Sequence, residues 1–255
     1  MERREQVTLT FNGQKIFGIL HLPVDTTFPV PAVLLCHGFG GNKSGKYRLF
    51  VRLAEALSTV GIASFRFDFR GAGDSEGAFQ DTTIESLCED ASFAFEYLQS
   101  HPAIDDSRIS ILGRSLGGLI AVLIAARFGC VQSLILWAAV FDAKPWIERQ
   151  AASQSAPQPL FEHLGTKVNK NFITQFMHVC TQTVLEALEE VPLLYVQAEQ
   201  DQSVGKYHVE QYEHARAKAT ALTRIFRVPH SDHEFSHADE QQDIIHASVE
   251  WMLNR

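Results

Sequence analysis

Three short stretches hold the side chains best suited to nucleophilic and proton-transfer chemistry. The first is Gly113-Arg114-Ser115-Leu116-Gly117-Gly118, which follows the apolar run Ile109–Leu112 and opens an apolar helical stretch, Leu116–Phe128. A serine on so tight a strand-to-helix turn holds a strained backbone, and the residues two before and two after must be small to avoid collision. Gly113 and Gly117 meet that requirement. The plainer reading is a helix N-cap, since serine is a favoured cap. The helix N-terminus also favours negative charge, which suits a nucleophile better than a cap. The second stretch is His37-Gly38-Phe39-Gly40-Gly41, directly after Ala32–Cys36. Glycines here let backbone N–H groups turn into a site, where a tetrahedral oxyanion needs donors at about 2.7–3.1 Å. The N–H groups of Phe39 and Leu116 are the candidate pair for such an oxyanion hole. The alternative is an ordinary Gly-rich turn, and His37 fits a structural role better than proton transfer. The third stretch, Pro229 to His237, offers His230, His233 and His237. Imidazoles one helical turn apart can share an ion, but no cysteine or second ligand cluster accompanies them, so no metal is expected.

The elements around these stretches alternate. Val7–Phe11 and Lys15–Leu22 change between apolar and polar about Asn12-Gly13, a dipeptide that supplies the positive φ angles of a tight hairpin. After Pro29 and Pro31 the pattern becomes short continuous apolar runs, each followed by a helical period, as buried parallel strands read. The strands drawn are Ala32–Cys36, Ala63–Phe67, Ile109–Leu112, Ser133–Ala139, Leu193–Gln197 and Arg224–Val228. The helices are Tyr47–Val60, Thr82–Gln99, Leu116–Phe128, Lys206–Ala217 and Gln241–Asn254. The apolar stripe Ile84, Leu87, Cys88, Ala91, Phe95 and Leu98 reads as core packing. This alternation implies an α/β fold with a mostly parallel sheet covered by helices on both faces. Residues 142–190 break it, and a structureless loop of that length is improbable, so they are expected to form an inserted cap. The core is then 1–141 and 191–255. Within the cap Trp146, Leu160, Phe161, Phe172, Phe176 and Met177 fit an apolar pocket wall over Ser115, or equally a small core of the cap's own.

Taken together, the His37-Gly38 turn, Asp68-Phe69-Arg70-Gly71-Ala72-Gly73-Asp74-Ser75 and the Ser115 elbow resemble the α/β-hydrolase fold superfamily over the whole length except the cap. Within it, His37 to Gly41, an insertion after the sixth strand and Asp232-His233-Glu234-Phe235 are similar to feruloyl or cinnamoyl esterase-like carboxylesterases. The resemblance implies an eight-stranded sheet and a triad in the order serine, acid, histidine. The acid belongs after Leu193–Gln197, where Glu199 and Asp201 stand. The resemblance favours Asp201, three residues before Val204. His233 is the base by the same resemblance, with His230 a substitute, and Asp68 and Arg70 brace loops. The activity implied is hydrolysis of carboxylic esters through an acyl-enzyme on Ser115, with no cofactor. A serine at the elbow argues against the haloalkane dehalogenases, where the resemblance would place an aspartate. An aminopeptidase or acyl-peptide hydrolase, a thioesterase and a non-catalytic ligand-binding protein on this fold are the competing readings.

Composition narrows the partners. Of the 255 residues 45% are hydrophobic and 20% charged, the profile of a globular chain. A net charge of −8 argues against nucleic acid, which needs clustered positive charge, and leaves a small-molecule ester as the expected partner. Cys36, Cys88, Cys130 and Cys180 lie far apart without a CxxC pair and read as reduced thiols. The first residues lack the apolar region of a secretory signal, and the most apolar run, Leu116 to Ala126, is shorter than the roughly 20 residues of a bilayer span. A cytoplasmic protein with no membrane insertion is the expectation. A homodimer joined through the cap is compatible with this sequence, although no self-complementary surface identifies one.

Overall fold

Asn12 and Gly13 take the left-handed backbone that a two-residue hairpin turn needs, at φ 50° and 78°. The chain folds back there, and β1 (Glu2–Phe11) pairs antiparallel with β2 (Gln14–Pro23) along its whole length. The computed structural model describes residues 2–145, 148, 162–163 and 166–255. In it six further strands join the hairpin: β3 (Val30–Cys36), β4 (Ala63–Phe67), β5 (Ile104–Arg114), β6 (Leu134–Trp137), β7 (Leu193–Ala198) and β8 (Thr223–Val228). The eight-stranded sheet has the order β1-β2-β4-β3-β5-β6-β7-β8, antiparallel from β1 to β4 and parallel from there on.

The unbroken apolar runs follow from burial on both faces. In β3, Ala32, Leu34 and Cys36 pack with α2 (Ile84–Ser100) and α3 (Leu116–Phe128), while Val33 and Leu35 pack with α1 (Leu49–Thr59) and α7 (Ala238–Leu253). The stripe expected on α2 is core, with Cys88 at its partly buried edge. Between β6 and β7 the described chain holds a two-stranded antiparallel pair, Glu162–His163 with Thr166–Lys167, then α4 (Lys170–His178) and α5 (Thr181–Ala187). Phe172, Ile173 and Phe176 of α4 belong to the same buried cluster as α2 and α3, so this helix shares the main core. Met177 is exposed, and Trp146, Leu160 and Phe161 lie outside the described residues.

Several boundaries differ from the sequence reading for local reasons. Helix α1 begins at Leu49 because Tyr47 and Arg48 are left-handed, at φ 54° and 59°. Strand β6 stops at Trp137 because Ala138 turns to φ 43°. Helix α2 starts at Ile84, where Thr83 and Ser86 cap each other reciprocally. Strand β5 extends back to Ile104, which pairs with Val30 through a stretch whose Asp105 and Asp106 resemble turn residues. Helix α6 (Lys206–Ala215) ends two residues early, and α7 begins three residues early.

A buried polar relay ties the hairpin to the sheet. The guanidinium Nε of Arg66 donates to His21 Nε2 at 2.8 Å, and His21 Nδ1 donates to Glu2 Oε2 at 2.7 Å. That tautomer is neutral. Burial lowers the His21 pKa from its ordinary 6.5, and Glu2 opposes the shift only in part. Because the folded value lies below the unfolded one, the unfolded chain takes up the proton first. The contribution to stability is therefore complete above about pH 6.5 and is lost as pH falls from there toward the folded value. Thermal melting between pH 8 and pH 5 is expected to show a steeper acid loss in the wild type than in His21→Gln. Parallel curves would contradict this.

Candidate active site

Strand β5 ends at Arg114 and α3 begins at Leu116, so Ser115 alone makes the turn, at φ 54° and ψ −124°. The approach of helix to sheet is close. A Cβ on Gly117 would lie 2.3 Å from the carbonyl oxygen of Cys36 and 2.4 Å from that of His37, and one on Gly113 would lie 2.2 Å from the Gly117 carbonyl oxygen. The small residues expected on either side of Ser115 must therefore lack a Cβ altogether. The capping alternative is not realised, because the Ser115 side chain makes no cap hydrogen bond among the described residues.

Ser115 Oγ lies 3.1 Å from His233 Nε2, and His233 Nδ1 lies 2.6 Å from Asp201 Oδ2. An ionised carboxylate only accepts, so Nδ1 carries the proton and Nε2 accepts the serine hydroxyl. Asp201 is buried, and its other oxygen accepts the Ser203 and Val204 N–H groups at 2.7 Å each. Glu199, the other candidate acid, pairs with Arg227 at 2.9 Å. His230 and His237 are exposed, and no group of three His, Cys, Asp or Glu side chains suited to a metal occurs among the described residues.

The loop after β3 passes directly over the serine. A Cβ on Gly38 would meet Ser115 Cβ at 3.1 Å, and the Gly41 N–H closes a turn onto the Gly38 carbonyl around Phe39. His37 is buried, donating from Nδ1 to its neighbour's carbonyl at 2.8 Å and accepting the Phe69 N–H at Nε2. Both nitrogens are thus spent on backbone, the structural role the sequence suggests. Leu116, at the head of α3, has an N–H without an intrahelical acceptor. Asp68 accepts from the Lys43 N–H, the Lys43 ammonium and the Asp74 N–H, while Arg70 binds Asp90 and Glu89. Both brace loops, as the resemblance implied.

One contributor had no signal in the sequence. Arg114 occupies the variable position of the elbow, and its Nη2 donates to the His233 carbonyl at 2.7 Å and to Glu234 Oε2 at 2.8 Å. It ties the loop carrying the imidazole to the turn carrying the serine. Buried side chains fix the neighbouring exit of β6 similarly: the Tyr195 and Tyr212 hydroxyls donate to the Ala139 and Val140 carbonyls, and His208 Nδ1 accepts the Phe141 N–H.

Ser115 and His233 open into a cavity of about 470 Å³. One wall is apolar, formed by Phe39, Val168, Phe172 and Phe176, and the polar side includes Asp142, Glu234 and Ser203. Asp142 accepts the Tyr207 hydroxyl at 2.8 Å, a contact that, after burial, helps push the Tyr207 pKa up to about 12.

Sheet order, elbow and cavity together define an α/β hydrolase. A family model described as serine aminopeptidase, S33, matches residues 28–182, more than half of the sequence, and the chain belongs to that family. It is similar to an uncharacterised protein of Mycobacterium tuberculosis, 33% identical over 124 residues, covering 49% of this chain and 41% of that protein. It is also similar to the quorum-quenching protein AidA of Acinetobacter baumannii, 36% identical over 108 residues, covering 42% and 34%. The chain spans less than half the length of these curated relatives. Among solved structures, Est1E of Butyrivibrio proteoclasticus with ferulic acid bound superposes with a TM-score of 0.81 at 23% identity, over 97% of this chain and 98% of that one. At that identity the likeness carries the fold. Among the described residues no helix is long and apolar enough to cross a membrane.

Gly117→Ala is expected to destabilise the protein by about 1–3 kcal/mol in urea unfolding, because backbone carbonyls must move. Gly205→Ala is the control. Its Cβ would meet only the Asp201 carbonyl, at 3.5 Å, and its effect should stay within about 0.5 kcal/mol. Equal effects at the two sites would contradict the steric account.

Proposed function

We propose that this protein is a serine hydrolase cleaving carboxylic esters of small acyl or aryl acids. The observation that carries the reading is the hydrogen-bonded line from Ser115 through His233 to buried Asp201, opening on a cavity with an aromatic wall. Ser115 Oγ attacks the acyl carbon as His233 Nε2 takes its proton, and Asp201 stabilises the imidazolium that forms. The N–H groups of Phe39 and Leu116 receive the oxyanion, His233 returns the proton to the leaving alcohol, and water releases the acid from the acyl-enzyme. Each step uses only these groups and water.

Residues 142–190 are read as a cap whose helix α4 forms one wall of the acyl site. The apolar lining from Phe172 and Phe176 favours aryl or short alkyl acyl groups, and the ferulic acid held by Est1E supports an aryl acid in this fold. The family description favours a second reading, an aminopeptidase. Of the two carboxylates on the cavity, Glu234 is paired with Arg114, while Asp142 accepts from the neutral Tyr207 hydroxyl and Lys144 N–H, which makes it, among the described residues, the group that would meet a free amine.

The test is hydrolysis of p-nitrophenyl esters from acetate to long acyl chains, with methyl ferulate and an amino-acid anilide, by wild type and Ser115→Ala. Ester turnover that falls by at least about 10³-fold in the variant, with the anilide untouched, is expected. Anilide cleavage would favour the peptidase, and ester turnover surviving in Ser115→Ala would contradict the assignment of the nucleophile.

A further inference from the structure

The proposed mechanism uses only the N–H of residue 39, which any residue but proline supplies. Between Gly38 and the pair Gly40-Gly41 the chain nevertheless carries a phenyl ring. That ring stands between two spaces. On one side is the cavity over Ser115, where Phe172 of α4 stacks on it at 4.7 Å between centroids. On the other is Phe79, at 4.8 Å, which lines a second and far smaller space of about 10 Å³, room for little more than one water. The two spaces share Gly38, Phe39 and Leu116 as walls, and of these Phe39 carries the largest side chain.

The wall behind the ring is suited to hydrocarbon. Phe69, Phe79, Leu87 of α2 and Ile120 of α3 line it, while its ionisable members are engaged elsewhere, Arg70 with Asp90 and Glu89 and His37 with backbone. A chain entering such a wall gains about fourfold in affinity for each methylene buried. The ester carbonyl held by the Phe39 and Leu116 N–H groups lies at this same turn, so the acyl chain starts out beside the ring.

We propose that the Phe39 ring determines specificity for acyl length: it ends the acyl site, so that short acyl and flat aryl groups fit in front of it and longer chains are stopped by it. The proposal rests on the ester-hydrolase reading and narrows its substrate class. The ring also packs between Phe79 and Phe172, and the two roles separate in measurement. A ring that only packs lowers the melting temperature when truncated and leaves the order of preference among esters as it was. A ring that ends the site changes that order, because an added methylene that meets a wall costs about tenfold or more and one that enters an apolar space is gained.

The experiment measures kcat/KM for p-nitrophenyl acetate, butyrate, hexanoate and octanoate in wild type, Phe39→Ala, Phe39→Leu, Leu87→Ala, the double variant of Phe39→Ala with Leu87→Ala, and Ser115→Ala, with melting as the check on folding. Ratios between esters within one variant cancel any change common to all of them, including one at the oxyanion N–H. In the wild type octanoate should be turned over at no more than about a tenth of the butyrate value. Phe39→Ala should raise that ratio by at least about tenfold, and Phe39→Leu by less. Leu87→Ala alone, lying behind the ring, should leave the ratio within about twofold, while the double variant should exceed Phe39→Ala. If Phe39→Ala does not fold, Phe39→Leu decides the matter. A wild type that takes octanoate as readily as butyrate, folded Phe39 variants that keep the wild-type ratio, or a Leu87→Ala as permissive as Phe39→Ala would each overturn the role of the ring and leave the ester-hydrolase reading intact. A folded wild type without ester turnover, or turnover that survives in Ser115→Ala, would overturn that reading and the role of the ring with it.

Discussion

Ser115 occupies a backbone conformation, φ 54° and ψ −124°, that a residue with a Cβ adopts only when its surroundings impose it. Strain of that kind costs about 1–3 kcal/mol. Three hydrogen bonds surround the residue: its N–H donates to the Trp137 carbonyl at 2.9 Å, and its carbonyl accepts from Gly118 at 3.0 Å and Val140 at 3.1 Å. At a net value near 1 kcal/mol each they offset the strain. The rest of the architecture follows from keeping this turn. Helix α3 must begin against the ends of β3 and β5, so Gly113 and Gly117 have no room for a side chain. Helix α3 then runs buried on nearly every side, because β5, α2 and α5 surround it.

Around that fixed point, each group of the proposed reaction centre is set by contacts other than those it makes with its neighbour in the line. Asp201 is held by two backbone N–H groups, His233 by Arg114 at its carbonyl, and the Phe39 turn by His37. The apolar core on both sheet faces provides the rigidity, and the polar brackets convert it into position. This division of labour explains why the loops at the carboxyl ends of the strands can carry chemistry without being loose.

Much of this was legible in the sequence because the physics is local. Continuous apolar runs followed by helical periods require a sheet buried on both faces, and Asn12-Gly13 requires a hairpin. Gly113-x-Ser115-x-Gly117 between a strand and a helix requires a strained turn. The choice of Asp201 over Glu199, and of His233 over His230, was not local. It came from resemblance to a family; in the fold His233 lies between Ser115 and Asp201, while Arg227 takes Glu199. Arg114 was invisible, since its partners lie about 120 positions away in sequence and nothing in the residue type marks a bridge between loops. Left-handed Tyr47 and Arg48 and the positive φ of Ala138 were equally hidden, because ordinary side chains stand where glycine would have signalled the turn. In α4, periodicity alone could not say whether Phe172 and Phe176 line a pocket over Ser115 or pack a small core of the cap's own; they line the cavity and join the main core.

The most direct test is to catch the covalent intermediate. Wild-type protein mixed rapidly with a p-nitrophenyl ester and quenched in acid should show, by intact mass, a population heavier by one acyl group, with peptide mapping placing the acyl group on Ser115. Release of one equivalent of nitrophenol in a burst should accompany it if deacylation is the slower step. An acyl group found on another residue, or substrate consumed in single-turnover experiments with no acylated protein at any time, would contradict a mechanism that runs through this serine.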